Sequence, residues 1–250
     1  LNILIADVHV AVINESTVVT DAEVLTAINA LEIQVHRDFA PVWGINANLG
    51  FVPKGITPQA GWWWLTILDD ADQAGALGYH DVTTQGQPLG KVFAKTAQSF
   101  GASWTVTTSH ELLEMLADPE IDLTVFVQAT NTSGTIYAYE ICDACEADNL
   151  GYQIGGVLVS DFVYPAWFES SLASGTQVDY GKHLPGPFAL APGGYIGAYD
   201  VTKGSGWQQI TARSGSAASY KMRPAIGSRR ERRRLPRDQW ERSVIHRSAT

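Results

Sequence analysis

The stretch from His110 to Asp118, His-Glu-Leu-Leu-Glu-Met-Leu-Ala-Asp, constrains the fold more than any other part of the chain. On a helical wheel of about 100° per residue, Glu114 falls at about 40° from His110, Asp118 at about 80° and Glu111 at about 100°. Leu112, Leu113, Leu116 and Ala117 spread over the opposite arc. A helix here buries its leucine face and presents one imidazole and three carboxylates together. Neither Lys nor Arg lies on that arc, so the carboxylates repel one another unless solvent, protons or a cation offset them. His110 and Glu114, one turn apart, point the same way and can grip one ion. Glu111 is offset enough to reach a water beside that ion without occupying it. Thr108-x-x-Glu111 predicts a capping box at the helix start, and Pro119 limits its end by disfavouring helical geometry at Asp118.

Strand alternation over Ile3 to Ile13 comes first in the chain, with Val8, Val10 and Val12 on one side and Asp7, His9 and Ala11 on the other. Thr20-x-x-Glu23 is a second capping box. It opens a long helix in which Val24, Leu25, Ile28, Leu31, Val35 and Phe39 recur until Pro41. Strands are predicted over Ala47–Val52 and Trp62–Leu68, then a Gly-rich connection containing Gly75, Gly78 and Gly86, then a short edge strand near Lys91–Ala94. Beyond Pro119, Thr124–Ala129 and Thr135–Glu140 flank Asn131–Gly134 as a hairpin that runs into the acidic loop Glu140–Asp148. The last third has strand-like runs at Gly156–Val159 and Phe162–Phe168 but little helical period, and reads as irregular, wall-forming structure.

Composition supports a folded chain: 45% of the 250 residues are hydrophobic and 17% charged, which excludes disorder as its main character. No apolar run approaches the roughly 18 residues of a membrane span. The N-terminus lacks the basic region and cleavage site of a signal peptide, so a soluble chain without a membrane partner, cytoplasmic or virion-associated, is expected. Charge is unevenly spread. Residues 228–250 hold eight Arg against three acids, whereas 23 acidic and nine basic side chains occupy the first 227 residues. Nucleic acid is therefore a partner only through residues 228–250, and the same tail offers a docking arm for protein assembly partners.

His110-Glu111-x-x-Glu114 resembles the H-E-x-x-H signature of the zincin metallopeptidases, with the second His replaced by Glu. Similar H-E-L-L-E-M-x-x-D-P strings occur in uncharacterised bacterial and phage proteins. The order strand, long helix, strands, short edge strand, active-site helix also resembles a zincin N-terminal subdomain, over roughly residues 3–120. The resemblance implies an α+β fold: a zincin-like mixed, twisted sheet with a long N-terminal helix, a metal-site helix and an irregular C-terminal part. Residues 1–227 would form this domain, with 1–120 as its N-terminal and 121–227 as its irregular C-terminal subdomain, and 228–250 as an Arg-rich tail.

It further implies Zn²⁺, or another divalent ion, held by His110 and Glu114. Glu111 would be the general base on a metal-bound water, and the substrate a peptide or protein. The third ligand falls among Glu140, Asp143 and Glu146, with Glu140 favoured because it ends a predicted strand. The metzincin extension fails, since position 117 is Ala and Glu120 follows the helix-breaking Pro119. A carboxylate at 114 weakens Lewis acidity and shifts preference toward harder ions. The alternative is a structural component of a larger assembly, such as a phage virion, that retains the fold and docks by its tail.

Other residues carry weaker expectations. Cys142 and Cys145 read as two small buried thiols in preference to a bridge or half a zinc site. His80 reads as a hydrogen-bonded loop histidine before the edge strand, with a cleft position as the alternative. His183 and Tyr164 are candidates to steady an oxyanion. Trp62, Trp63 and Trp64 read as strand residues packing on a core, two to one side. Met115 reads as a core-edge residue and Met222 as part of a Met-turn-like loop.

Overall fold

The computed structural model describes residues 8–73, 75–204 and 206–212. The Arg-rich tail, Met222 and the strand residues before Val8 lie outside the described residues. The chain is α+β with a mixed sheet. Strand β1 (Val8–Asn14) leads into α1 (Asp21–Ile33). The capping box at Thr20 forms as expected, its side chain accepting from the Glu23 N–H while the Glu23 carboxylate accepts from the Thr20 N–H at 2.8 Å. The helix does not stop at Pro41. It widens into π-helical turns over Gln34–Phe39 and closes with α2 (Ala40–Trp43), where Pro41 sits in the first turn and Gly44 ends the run at φ 71°. The helix thus runs through Pro41, which has no N–H to donate, at a place where the preceding backbone is π-helical.

Strands β2 (Ala47–Val52), β3 (Trp63–Leu68), β4 (Gly78–Val82) and β5 (Pro88–Phe93) complete a five-stranded sheet of order β2-β1-β3-β5-β4. All neighbours are parallel except β4, which pairs antiparallel with β5 at the edge. This corrects the Gly-rich connection: Gly78 begins a strand, and the strand near Lys91 is interior, between β3 and the true edge. The glycines that mimic a loop in sequence serve close packing here. A Cβ at Gly78 would stand 2.7 Å from Thr107 Cγ2 and 2.9 Å from Glu111 Cγ, so only glycine lets a helix lie this close.

A short α3 (Ala94–Ser99) precedes α4 (Trp104–Ala117). The expected capping box at Thr108 is absent. The helix starts a turn earlier, at the Ser103 cap, and Thr108 lies inside it with its hydroxyl donating to the Trp104 carbonyl at 2.6 Å. Trp104 and Val106 extend the apolar pattern backward, which is why the earlier start wins. The end at Ala117 is as Pro119 predicts. Met115 is fully buried, not at the core edge. Of the three tryptophans, Trp62 and Trp64 pack against Ala11, Ile13 and Val52 on one face, and Trp63 joins the main core on the other.

Beyond α4, β6 (Thr124–Thr130) and β7 (Ser133–Ala138) form the expected hairpin. A small hairpin, β8 (Tyr152–Ile154) with β9 (Val157–Val159), follows. Phe162–Phe168 forms no strand: a single bridge joins Val163 to Asp179, and Pro165–Phe168 is a 3₁₀ turn. The C-terminal part is less irregular than expected. β10 (Tyr195–Asp200) and β11 (Trp207–Thr211) add to the hairpin as the antiparallel sheet β11-β10-β7-β6. One hydrophobic cluster runs from Val10 to Ile196, so both halves share a core. No helix among the described residues is long and apolar enough to cross a membrane.

Candidate metal centre

Helix α4 packs on β4, β5 and β9, and every residue from Thr108 to Ala117 is buried. Its acidic arc therefore faces protein, not solvent. One anchor is polar: Ser109 Oγ donates to Gln34 Oε1 at 2.7 Å and accepts from the Ser160 N–H at 3.0 Å, while Gln34 Nε2 donates to the Ser160 carbonyl at 2.9 Å. This satisfied network ties α4 to the π-helical turns of the long helix. The other anchor is Glu114, whose Oε1 accepts from the Cys142 N–H at 3.1 Å. That bond docks the acidic loop on the helix. The loop is held from behind by the C-terminal segment, where the Ala191 N–H donates to the Ala144 carbonyl at 2.9 Å and Tyr195 hydrogen-bonds Asp143.

These anchors bring six ionisable side chains together. His110 Nε2 lies 3.2 Å from Glu114 Oε2 and 3.3 Å from Asp143 Oδ1. His80, on edge strand β4, places Nδ1 3.6 Å from the same Glu114 Oε2 and 3.5 Å from Glu111 Oε2, and Nε2 3.9 Å from Glu140 Oε2. None is more than 9% exposed, and His80 is fully buried. Ligand atoms of His110, Glu114 and Asp143 lie within 4.8 Å of one another, as do those of His80, Glu114 and Glu140. The predicted pair His110 and Glu114 thus meets, and of the three loop candidates Asp143 joins it. Glu140 meets Glu114 in company with His80, and Glu146 enters neither group.

Burial disfavours a charged His110, but the charges of Glu114 and Glu111 and the Asp143 and Glu114 oxygens facing its ring outweigh it and raise its pKa well above the ordinary imidazole value. Desolvation and the Glu114 charge push the Asp143 carboxyl up. Its Oδ1 is buried with no partner of hydrogen-bond geometry. Imidazole nitrogen plus two carboxylate oxygens at these separations is a donor set that suits a divalent transition ion. Cys142 and Cys145 are free and buried, and desolvation raises both thiols, so they remain protonated. Asp118 leaves the cluster, its carboxylate accepting from the Asp122 and Leu123 N–H groups.

Sequence reasoning underrated His80. Its signal was alternation within Gly78–Val82, which turns Tyr79 and His80 to opposite sides of the edge strand. Tyr195 gave no signal, because its role depends on pairing across the chain. His183 pairs instead with Asp161, Nδ1 to Oδ2 at 2.8 Å, and Tyr164 Oη accepts from Gln177 Nε2 at 3.3 Å. Comparison with protein-family models, curated proteins and solved structures finds no match to this chain.

Proposed function

We propose that this protein is a metal-dependent hydrolase of zincin-like design that cleaves peptide bonds. The observation that carries the reading is the buried convergence of His110 Nε2, Glu114 Oε2 and Asp143 Oδ1 on the helix-and-loop junction. Support also comes from the element order, in which a long helix, a mixed sheet and an antiparallel edge strand precede α4. Zn²⁺ or a harder divalent ion fits this donor set and would supply Lewis acidity toward a scissile carbonyl. His110, Glu114 and Asp143 would hold it.

Glu111 is the general base. It sits one residue along from His110, packed over Gly78 on the edge strand, where it can take a proton from an attacking water and return it to the leaving amine. Tyr195, by bonding Asp143, positions the loop. The test is elemental analysis of the native protein and of Glu114→Ala, followed by hydrolysis of an unstructured peptide. Metal in the native protein, its loss in Glu114→Ala and hydrolysis abolished in Glu111→Gln are expected. Equal, negligible metal in both proteins would end the reading.

A further inference from the structure

We infer that the cluster is built for two divalent cations sharing Glu114 as a common ligand, one held with His110 and Asp143 and the other with His80 and Glu140. This inference rests on the metal-centre reading above and adds a second ion to it. The geometry begins with Glu114. With Oε1 fixed by the Cys142 N–H, its Oε2 lies between the two imidazoles, 3.2 Å from one and 3.6 Å from the other.

A cation about 2.1 Å from each ligand holds donor atoms no more than about 4.2 Å apart. Each three-residue group approaches that condition, with all its ligand atoms within 4.8 Å, and the two imidazoles fall in different groups. One ion cannot use both sets. Two ions about 3.5–4 Å apart, bridged by one carboxylate, can.

Charge points the same way. Glu111, Glu114, Glu140 and Asp143 are at least 95% buried and carry four negative charges when ionised. An imidazole that ligates is neutral, so a single divalent ion leaves a net −2 in the interior, or −1 with the other imidazole protonated, whereas two ions bring the set to zero. An uncompensated charge in such surroundings is strongly disfavoured. The hydrogen-bond geometry of Asp143 is an independent pointer, since its buried Oδ1 faces His110 at ion-pair distance but receives no hydrogen bond. Glu111 is then flanked by both positions, 3.5 Å from His80 on one side and adjacent to His110 in sequence.

Full-length protein stripped by chelation and re-equilibrated with Mn²⁺ decides the matter by elemental analysis and electron paramagnetic resonance. Two Mn²⁺ per chain with an exchange-coupled signal are expected. His80→Gln should lower the stoichiometry to one and replace the coupled signal by that of an isolated ion. Because His80 is fully buried, circular dichroism accompanies that variant, and the wild-type stoichiometry stands by itself if it does not fold. One Mn²⁺ per chain with an isolated-ion signal in the wild type overturns the pair and leaves the single-ion reading intact. No retained Mn²⁺ overturns both.

Discussion

Among the described residues two clusters set buried carboxylates beside imidazoles, one of them with the exposed ring of His183, and they differ in what faces the oxygens. Around Asp161, Asp179 and His183 the acceptors face backbone. Asp161 Oδ1 accepts from the Phe162 and Gly181 N–H groups at 2.8 and 2.9 Å, and Asp179 accepts from those of His183 and Leu184 at 2.6 and 3.1 Å. His183 closes the set against Asp161 Oδ2. Each carboxylate there clamps a loop. Around Glu114 the carboxylates face imidazole nitrogens, and the Cys142 N–H donates to Glu114 Oε1. Proximity alone groups both sets as ligand-like. What marks the candidate metal site apart from the clamp is a buried carboxylate oxygen, Asp143 Oδ1, that receives no hydrogen bond.

Breaking the chemistry of one cluster without touching the other gives the largest contrast. Glu111→Gln should lower peptide hydrolysis by about 10²- to 10⁴-fold, the usual worth of a general base, with metal content unchanged. His183→Ala should leave the rate within a small factor. Progress curves beside elemental analysis check both.

The next contrast is in affinity against stability. Glu114→Ala should weaken metal binding by more than about 100-fold, since even the outer partners of a ligand are worth about 10- to 100-fold. Asp179→Ala should bind metal normally yet lose about 3 kcal/mol of stability, because the buried Leu184 N–H and the half-buried His183 N–H lose their acceptor. Calorimetric metal titration and urea denaturation separate these outcomes.

Removing the metal sharpens the same distinction. With ion at about 100 times its dissociation constant, chelation should lower stability by about 2.7 kcal/mol, seen as a fall in Tm that is absent in Glu114→Ala and retained in His183→Ala.

The last contrast lies in the clamp. Burial outweighs the His183 and amide hydrogen bonds and lifts the Asp161 carboxyl from 3.8 to about 6. The folded state then holds this proton more tightly than the unfolded one. Its contribution is present below about pH 4 and lost as pH rises through about pH 6, at no more than about 1.4 kcal/mol per pH unit. Asp161→Asn should flatten that slope in urea midpoints measured across the window. An unchanged slope would assign the titration elsewhere.

The local signals in the chain were strong where they needed only neighbours. The Thr20 box, the strand Ala47–Val52, the hairpin after Pro119 and the juxtaposition of His110 with Glu114 follow from spacing along one helix or strand. Signals failed where tertiary packing decided. Gly78 marks a strand because Glu111 and Thr107 of α4 press on it, which no local pattern contains. β10 exists by pairing with β7 across some sixty residues, and β11 by pairing with β10. Which of Asp143 and Glu140 comes to lie beside His110 depends on how the loop turns after Ala138, where the Cys142 N–H bonds Glu114. His80 was legible as a residue and illegible as a participant, since its partners come from α4 and the far loop.

The Asp143 loop is braced by residues that come late in the chain: Ala191 grips Ala144, and Tyr195 reaches Asp143 itself. During synthesis on the ribosome, His110, Glu111 and Glu114 emerge some eighty residues before that brace exists. The nascent polypeptide therefore passes through most of its translation before this cluster of side chains can close, and its assembly waits on the last strands to be made.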